Sequence, residues 1–151
     1  MAAPDREYTI TVVLDAPRET VFRAWTDPES FTQWFGPRGF TTPLPTTSLD
    51  VRPGGAWSAV LVSPDGAKAP LGGVYHEVAA PERLVFTTGD PDNTEGAPAS
   101  VAAVTLDDLG DGRTEMRFHQ AGYNTDEAHA EAAKAGWLQF FDRLAEHVAA
   151  S

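Results

Sequence analysis

The sequence predicts an α+β domain: a curved antiparallel sheet of about seven strands wrapped around a long C-terminal helix, with two short helices after strand one. Three observations lead there. Between Thr46 and Gln120 the chain reads as a succession of short strands parted by Gly, Pro and Asp turns. Near the C-terminus, Trp137, Phe140, Phe141, Leu144 and Val148 recur at helical spacing and form one apolar stripe. Near the N-terminus, Val21, Phe22 and Trp25, then Phe31, Trp34 and Phe35, mark two short helical faces on either side of Asp27-Pro28.

Taken in order, Tyr8 to Asp15 alternates and then runs apolar, which is strand one, and Ala16-Pro17 ends it. Arg18 to Thr26 is the first helix. Asp27 suits a cap and Pro28 a first helical position, so a second helix runs to about Trp34, where Gly36-Pro37 stops it. An irregular connection from Gly39 to Pro45 follows. Strands are predicted at about Thr46–Val51, Ala56–Ser63, Gly73–Ala80, Arg83–Thr88, Ser100–Leu109 and Arg113–Gln120. Arg52-Pro53-Gly54-Gly55, Ser63-Pro64-Asp65-Gly66, Ala80-Pro81-Glu82 and Gly110-Asp111-Gly112 are their turns. Gly89 to Pro98 reads as a longer, acidic, solvated loop. Tyr123-Asn124-Thr125-Asp126 caps the last helix, which runs to about Ala149.

A chain of 151 residues fits one domain, residues 1–151, with no repeat or interdomain linker. It has no cysteine, so disulfides and thiolate metal sites are excluded. No secretion signal opens it and no run approaches the ~18 apolar residues of a membrane span, so a soluble cytoplasmic protein is expected. The formal charge of −11, with lysine only at Lys68 and Lys134, makes nucleic acid and anionic membrane surfaces poor partners.

The residues offer shape more readily than chemistry. His76, His119, His129 and His147 show no metal-ligand spacing. Alternation puts Glu115, Arg117 and His119 on a wet face, away from any pocket a general base would need. Asp90 to Gly96 carries oxygen ligands without the register of a calcium loop. There is no nucleophile elbow or phosphate loop, so no catalytic residue, metal or cofactor is expected. What stands out is a set of aromatics from separate elements, Trp34, Phe35, Trp57, Tyr75, Phe86 and Phe118. A curled sheet would gather them on its concave face, as core or as the wall of a cavity. A buried Tyr75 hydroxyl would need a partner and could orient a ligand. The first half of the last helix carries the small residues Ala128, Ala130, Ala132, Ala133, Ala135 and Gly136, and a glycine in its interior costs about 1 kcal/mol relative to alanine. Gly136 therefore leaves room for a ligand or admits another backbone; the residues alone leave both readings open.

Several blocks, in order along nearly the whole chain, resemble one family. They are Ala16-Pro17 through Val21-Phe22, Ala24-Trp25-Thr26-Asp27-Pro28, Trp34, Asp50-Val51-Arg52-Pro53-Gly54-Gly55, Pro81-Glu82-Arg83-Leu84-Val85-Phe86-Thr87, and finally His129, Gly136-Trp137 and Leu144. The chain resembles the START-like helix-grip superfamily, also called SRPBCC. Within it, the chain is similar to the branch named after the C-terminal domain of the activator of the heat-shock protein 90 ATPase. The resemblance implies a sheet gripping the terminal helix with a pocket between them. It does not imply one activity, since relatives include lipid carriers, hormone receptors and polyketide aromatase/cyclases.

The leading expectation is a non-catalytic binder of a small hydrophobic or amphipathic molecule, in a cavity of about 300–1,000 Å³. Trp34, Phe35, Trp57, Tyr75, Phe86, Phe118, Gly136 and Phe140 would form its wall. A co-chaperone-like activator of the heat-shock protein 90 ATPase, with a role in stress response, is the alternative that the namesake supplies. A polyketide aromatase/cyclase-like enzyme, in which shape alone positions a reactive chain, is a further one. Monomer and homodimer both suit the composition.

Overall fold

The computed structural model describes residues 6–36, 38–88, 100–122 and 127–150, with the side chains of 6, 122, 127–130, 132 and 133 set aside. Strand β1 (Arg6–Leu14) leads into helices α1 (Arg18–Thr26) and α2 (Pro28–Phe31). A 3-10 turn at Leu44–Thr46 precedes β2 (Ser48–Leu49). Then come β3 (Ala56–Val62), β4 (Lys68–Ala79), β5 (Arg83–Thr88), β6 (Ser100–Asp108) and β7 (Thr114–Gly122), and α3 (Glu127–Ala149) ends the series. The strands form one antiparallel sheet in the order β1-β7-β6-β5-β4-β3-β2. The predicted cap of α3 and the acidic loop after β5 lie outside the described residues.

Because β1 and β2 sit at opposite borders of the sheet, α1 and α2 carry the chain across it. Helix α1 forms over the predicted residues and buries Val21, Phe22, Ala24 and Trp25. Asp27 then caps α2, accepting from the Glu29 amide at 3.3 Å, with Pro28 in the first helical position. Helix α2 stops at Phe31, short of the predicted Trp34. Its last bonds tighten to three-residue spacing, Gln33 N–H to Ser30 at 3.1 Å and Trp34 N–H to Phe31 at 3.3 Å. The Trp34 indole donates back to the Ala24 carbonyl at 2.9 Å and fixes this segment on α1.

Two strands depart most from the predicted bounds. Of Thr46–Val51 only Ser48–Leu49 pairs, because Thr46 belongs to the 3-10 turn and Asp50 turns early. The Asp50 carboxylate accepts from Arg52 Nε at 2.9 Å, and a Cβ at Gly55 would stand 2.0 Å from the Asp50 carbonyl oxygen. Strand β4 starts at Lys68, earlier than the predicted Gly73, and runs through Pro70. A proline is tolerated there because Lys68–Val74 pairs with β3 alone, while β5 pairs only from Tyr75 onward.

That change of partner bends the sheet. Lys68 to Val74 lies along β3, Tyr75 to Ala79 lies along β5, and the register slips between Tyr75 and Glu77. At the corner, Gly73 presses against Thr87 so closely that a Cβ would come within 2.0 Å of the Thr87 carbonyl oxygen. Thr87 also takes two bonds there: its Oγ1 accepts from the Val74 amide, and its carbonyl from the Trp57 indole, each at 2.9 Å. Into the resulting hollow α3 lays Trp137, Phe140, Phe141, Leu144 and Val148, the stripe read from the sequence.

The end of α3 is tied to the N-terminal helices. Ser30 Oγ and His147 Nε2 lie 2.7 Å apart, and Arg38 pairs with Glu146 at 2.7 Å. Burial holds the His147 imidazole below its ordinary value of 6.5.

Gly73→Ala is expected to force β4 away from Thr87 and to cost about 2–4 kcal/mol, the range of severe backbone and packing lesions, as read by urea denaturation. For His147 the neutral ring is favoured by folding, so the unfolded chain takes the proton first as pH falls past 6.5. Stability should therefore drop from that pH down to the lower folded-state value. In His147→Gln this step should be missing from melting temperatures followed between pH 8 and 5.5.

Candidate ligand-binding site

The concave face of the sheet divides into an aromatic zone and a polar one. Trp25 stands at the centre of the first. Its ring meets Trp34 edge-on at 4.8 Å, stacks over Phe118 at 6.3 Å, and lies 5.7 Å from Phe86, 6.2 Å from Trp137 and 6.1 Å from Phe141. Such pairs each add about 0.5–1.5 kcal/mol to the burial of the rings. Phe35 links the cluster to α3 through Phe140 at 5.0 Å and to β3 through Trp57 at 5.9 Å.

Of the expected wall, the structure brings Trp34, Phe35, Trp57, Tyr75, Phe86, Phe118 and Phe140 into this one buried cluster. Phe35, Trp57, Tyr75 and Phe86 line a void there, together with Trp25, Phe31 and Leu84. The void measures about 10 Å³, space for one water molecule, where the sequence predicts hundreds. The rings interdigitate edge to face and fill the hollow themselves. Gly136 lies apart from them. No described atom comes within 4 Å of where its Cβ would be, so the close-backbone reading of this glycine falls away among the described residues. The side chain of His129 lies outside them.

Three of the buried indoles differ. Trp34 and Trp57 donate to the carbonyls of Ala24 and Thr87, whereas Trp25 Nε1 is buried with no acceptor among the described residues. An unmet donor of this kind costs about 1–3 kcal/mol. Burial, with a smaller push from Asp50, raises the Tyr75 phenol above its ordinary value, so it stays a neutral O–H.

The polar zone sits where β7 ends and α3 begins. Tyr8 donates to Gln120 Oε1, Gln120 Nε2 donates to Ser100 Oγ at 2.7 Å, and Thr88 and Ser100 share a hydrogen bond. Gln120 is 6% exposed, and burial raises the Tyr8 phenol above its ordinary value. Sequence reasoning misses this group, although one signal for it exists: Gln120 has the parity of Met116 and Phe118 and so faces inward with them. Trp25 is likewise legible in the sequence only as part of the α1 stripe.

Outside the sheet, an open groove of about 570 Å³ runs between α2, residues 41–44 and Arg143. Arg143 spends its donors on the backbone, bonding Gly36 O at 2.9 Å and Gln33 O at 3.2 Å, and so clasps the segment after α2. Burial and the neighbouring Arg38 lower its pKa. His119 lies on the outer face, 3.0 Å from Thr9 Oγ1 and 3.7 Å from Glu7. Among the described residues no three His, Asp or Glu side chains gather at metal-binding distance, and no helix is long and apolar enough to cross a membrane.

Comparison with known proteins agrees with this architecture. Among solved structures, a protein of Chromobacterium violaceum is 30% identical, with a TM-score of 0.82 over 95% of this chain and 96% of its own. One from Nitrosomonas europaea is 25% identical, with a TM-score of 0.77 over 93% and 92%. An AHSA1 protein of Silicibacter pomeroyi is 24% identical, with a TM-score of 0.81 over 95% and 98%, and shares the fold. No match was found among curated proteins. The family model described as activator of Hsp90 ATPase homolog 1-like protein matches residues 15–149, and the chain belongs to that family, with its helix-grip fold.

Proposed function

We propose that the domain binds a small apolar or amphipathic molecule without transforming it, between the concave face of the sheet and α3. The buried polar group of Tyr8, Thr88, Ser100 and Gln120 carries this reading. A sheet face that served only to seat an apolar helix would gain nothing from four hydrogen-bonding side chains at one end, since burying polar groups costs free energy that their mutual bonds only recover. Beside a wall of aromatic rings, they suit a guest with an apolar body and a polar end. The alanine-rich start of α3 follows β7 at that same end, and Gly136 faces open space among the described residues.

On this reading, the 10 Å³ void is what remains of the site when no guest is held. A guest would enter as the rings of Phe35, Trp57, Tyr75 and Phe86 change rotamer, with Trp34, Phe118 and Phe140 behind them. Rotamer changes of this kind accompany binding in many proteins whose backbone stays put. The family description supports a second reading, activation of a chaperone ATPase, which an ATPase assay with the purified chaperone would show.

Native mass spectrometry of protein purified gently from its own host is expected to show a retained molecule above the 16.2 kDa chain, and 8-anilinonaphthalene-1-sulfonate should report the same site by fluorescence. Gly136→Leu, at a position where a Cβ would have no described atom within 4 Å, should keep its melting temperature and lose the dye several-fold. A bare chain that also leaves the dye dark would end the binding reading.

A further inference from the structure

We infer that Trp25 is a ligand-binding residue whose indole N–H donates to a neutral oxygen acceptor, a ketone or similar carbonyl, on the molecule held between sheet and helix. The inference rests on the binding reading above and adds the chemistry of the guest. Trp25 is 3% exposed, lines the void, and alone among the described residues holds a buried side-chain donor with no partner. Its neighbours show that the fold can satisfy an indole where it needs to, since Trp34 and Trp57 each reach a backbone carbonyl at 2.9 Å. An unmet donor at the centre of a core is a standing cost, and a guest that brings an acceptor removes it.

The surroundings fix the kind of acceptor. Besides Trp25 the void is lined by Phe31, Phe35, Trp57, Leu84 and Phe86, which offer no charge, and by Tyr75. The Tyr75 hydroxyl, held protonated by burial, is a second neutral donor. A carboxylate would enter with its charge uncompensated, because none of the lining residues is a cation, and burying an unpaired charge costs far more than one hydrogen bond returns. A carbonyl oxygen has two lone pairs and no charge, and a flat conjugated body behind it would stack among the rings.

The test uses a matched pair of probes, acetophenone and α-methylstyrene, in which C=O is exchanged for C=CH2 at nearly constant shape. Protein labelled with 15N-tryptophan is titrated with each, and the indole N–H of Trp25 is assigned by its proximity to Phe86 and Phe118. Acetophenone should bind about tenfold more tightly and move the Trp25 resonance downfield, as a new hydrogen bond requires. Trp25→Phe should erase the preference. If both probes bind equally and the Trp25 resonance does not move, the binding site stands and its assignment to Trp25 is overturned. If neither binds at millimolar concentration, the binding reading and this one fall together. The wild-type titration decides even if Trp25→Phe does not fold.

Discussion

The close approach of Gly73 to Thr87 governs the shape of this protein. A strand that kept one pair of neighbours along its whole length would belong to a flatter sheet, with no hollow for α3. Here β4 leaves β3 and joins β5 at Val74 and Tyr75, and the corner holds because Gly73 has no side chain to obstruct it. Thr87 occupies the inside of the corner and bonds both Val74 and Trp57, so the bend and the position of one core indole are set by the same residue. The aromatic cluster and the seat of α3 follow from that curvature.

Much of this is legible in the residues. The bounds of α1 and the buried face of α3 follow from helical periodicity, which large apolar side chains impose wherever one face is covered. Strand positions from β3 to β7 follow from alternation and turn chemistry. The start of β4 is hidden because the sequence reading begins the strand at Gly73, whereas Lys68 to Gly72, with Pro70 among them, already pair with β3. Family membership is legible from motifs in order along the chain. The size of the hollow is not, since it depends on how rings from α1, the segment after α2, the sheet and α3 interlock, and no periodicity sets a rotamer. The polar group escapes for a related reason: its members come from β1, β5, β6 and β7 and become a group only when those strands pair.

The closed interior and the binding reading fit together through the character of the ring packing. Edge-to-face ring pairs add about 0.5–1.5 kcal/mol each, so a ring that swings aside gives up that contact until something replaces it. In the binding reading, a guest of similar polarisability would offset that loss with its own surface in place of each displaced ring. The formal charge of −11 reflects scarce Lys and Arg and plays no part in this ring packing.

The border strand has a consequence for biosynthesis. The one partner of β1 among the described strands is β7, and the hydroxyl of Tyr8 meets an amide 112 residues further on. The ribosome therefore releases β1 long before its partner exists, and the closing pairing waits until most of the polypeptide has emerged. Loop closure over such a span comes late and slows assembly toward the millisecond-to-second regime of nonlocal sheets. In that interval Ile10, Val12 and Leu14 stand unshielded, and nascent chains crowded on one message would be prone to join through them.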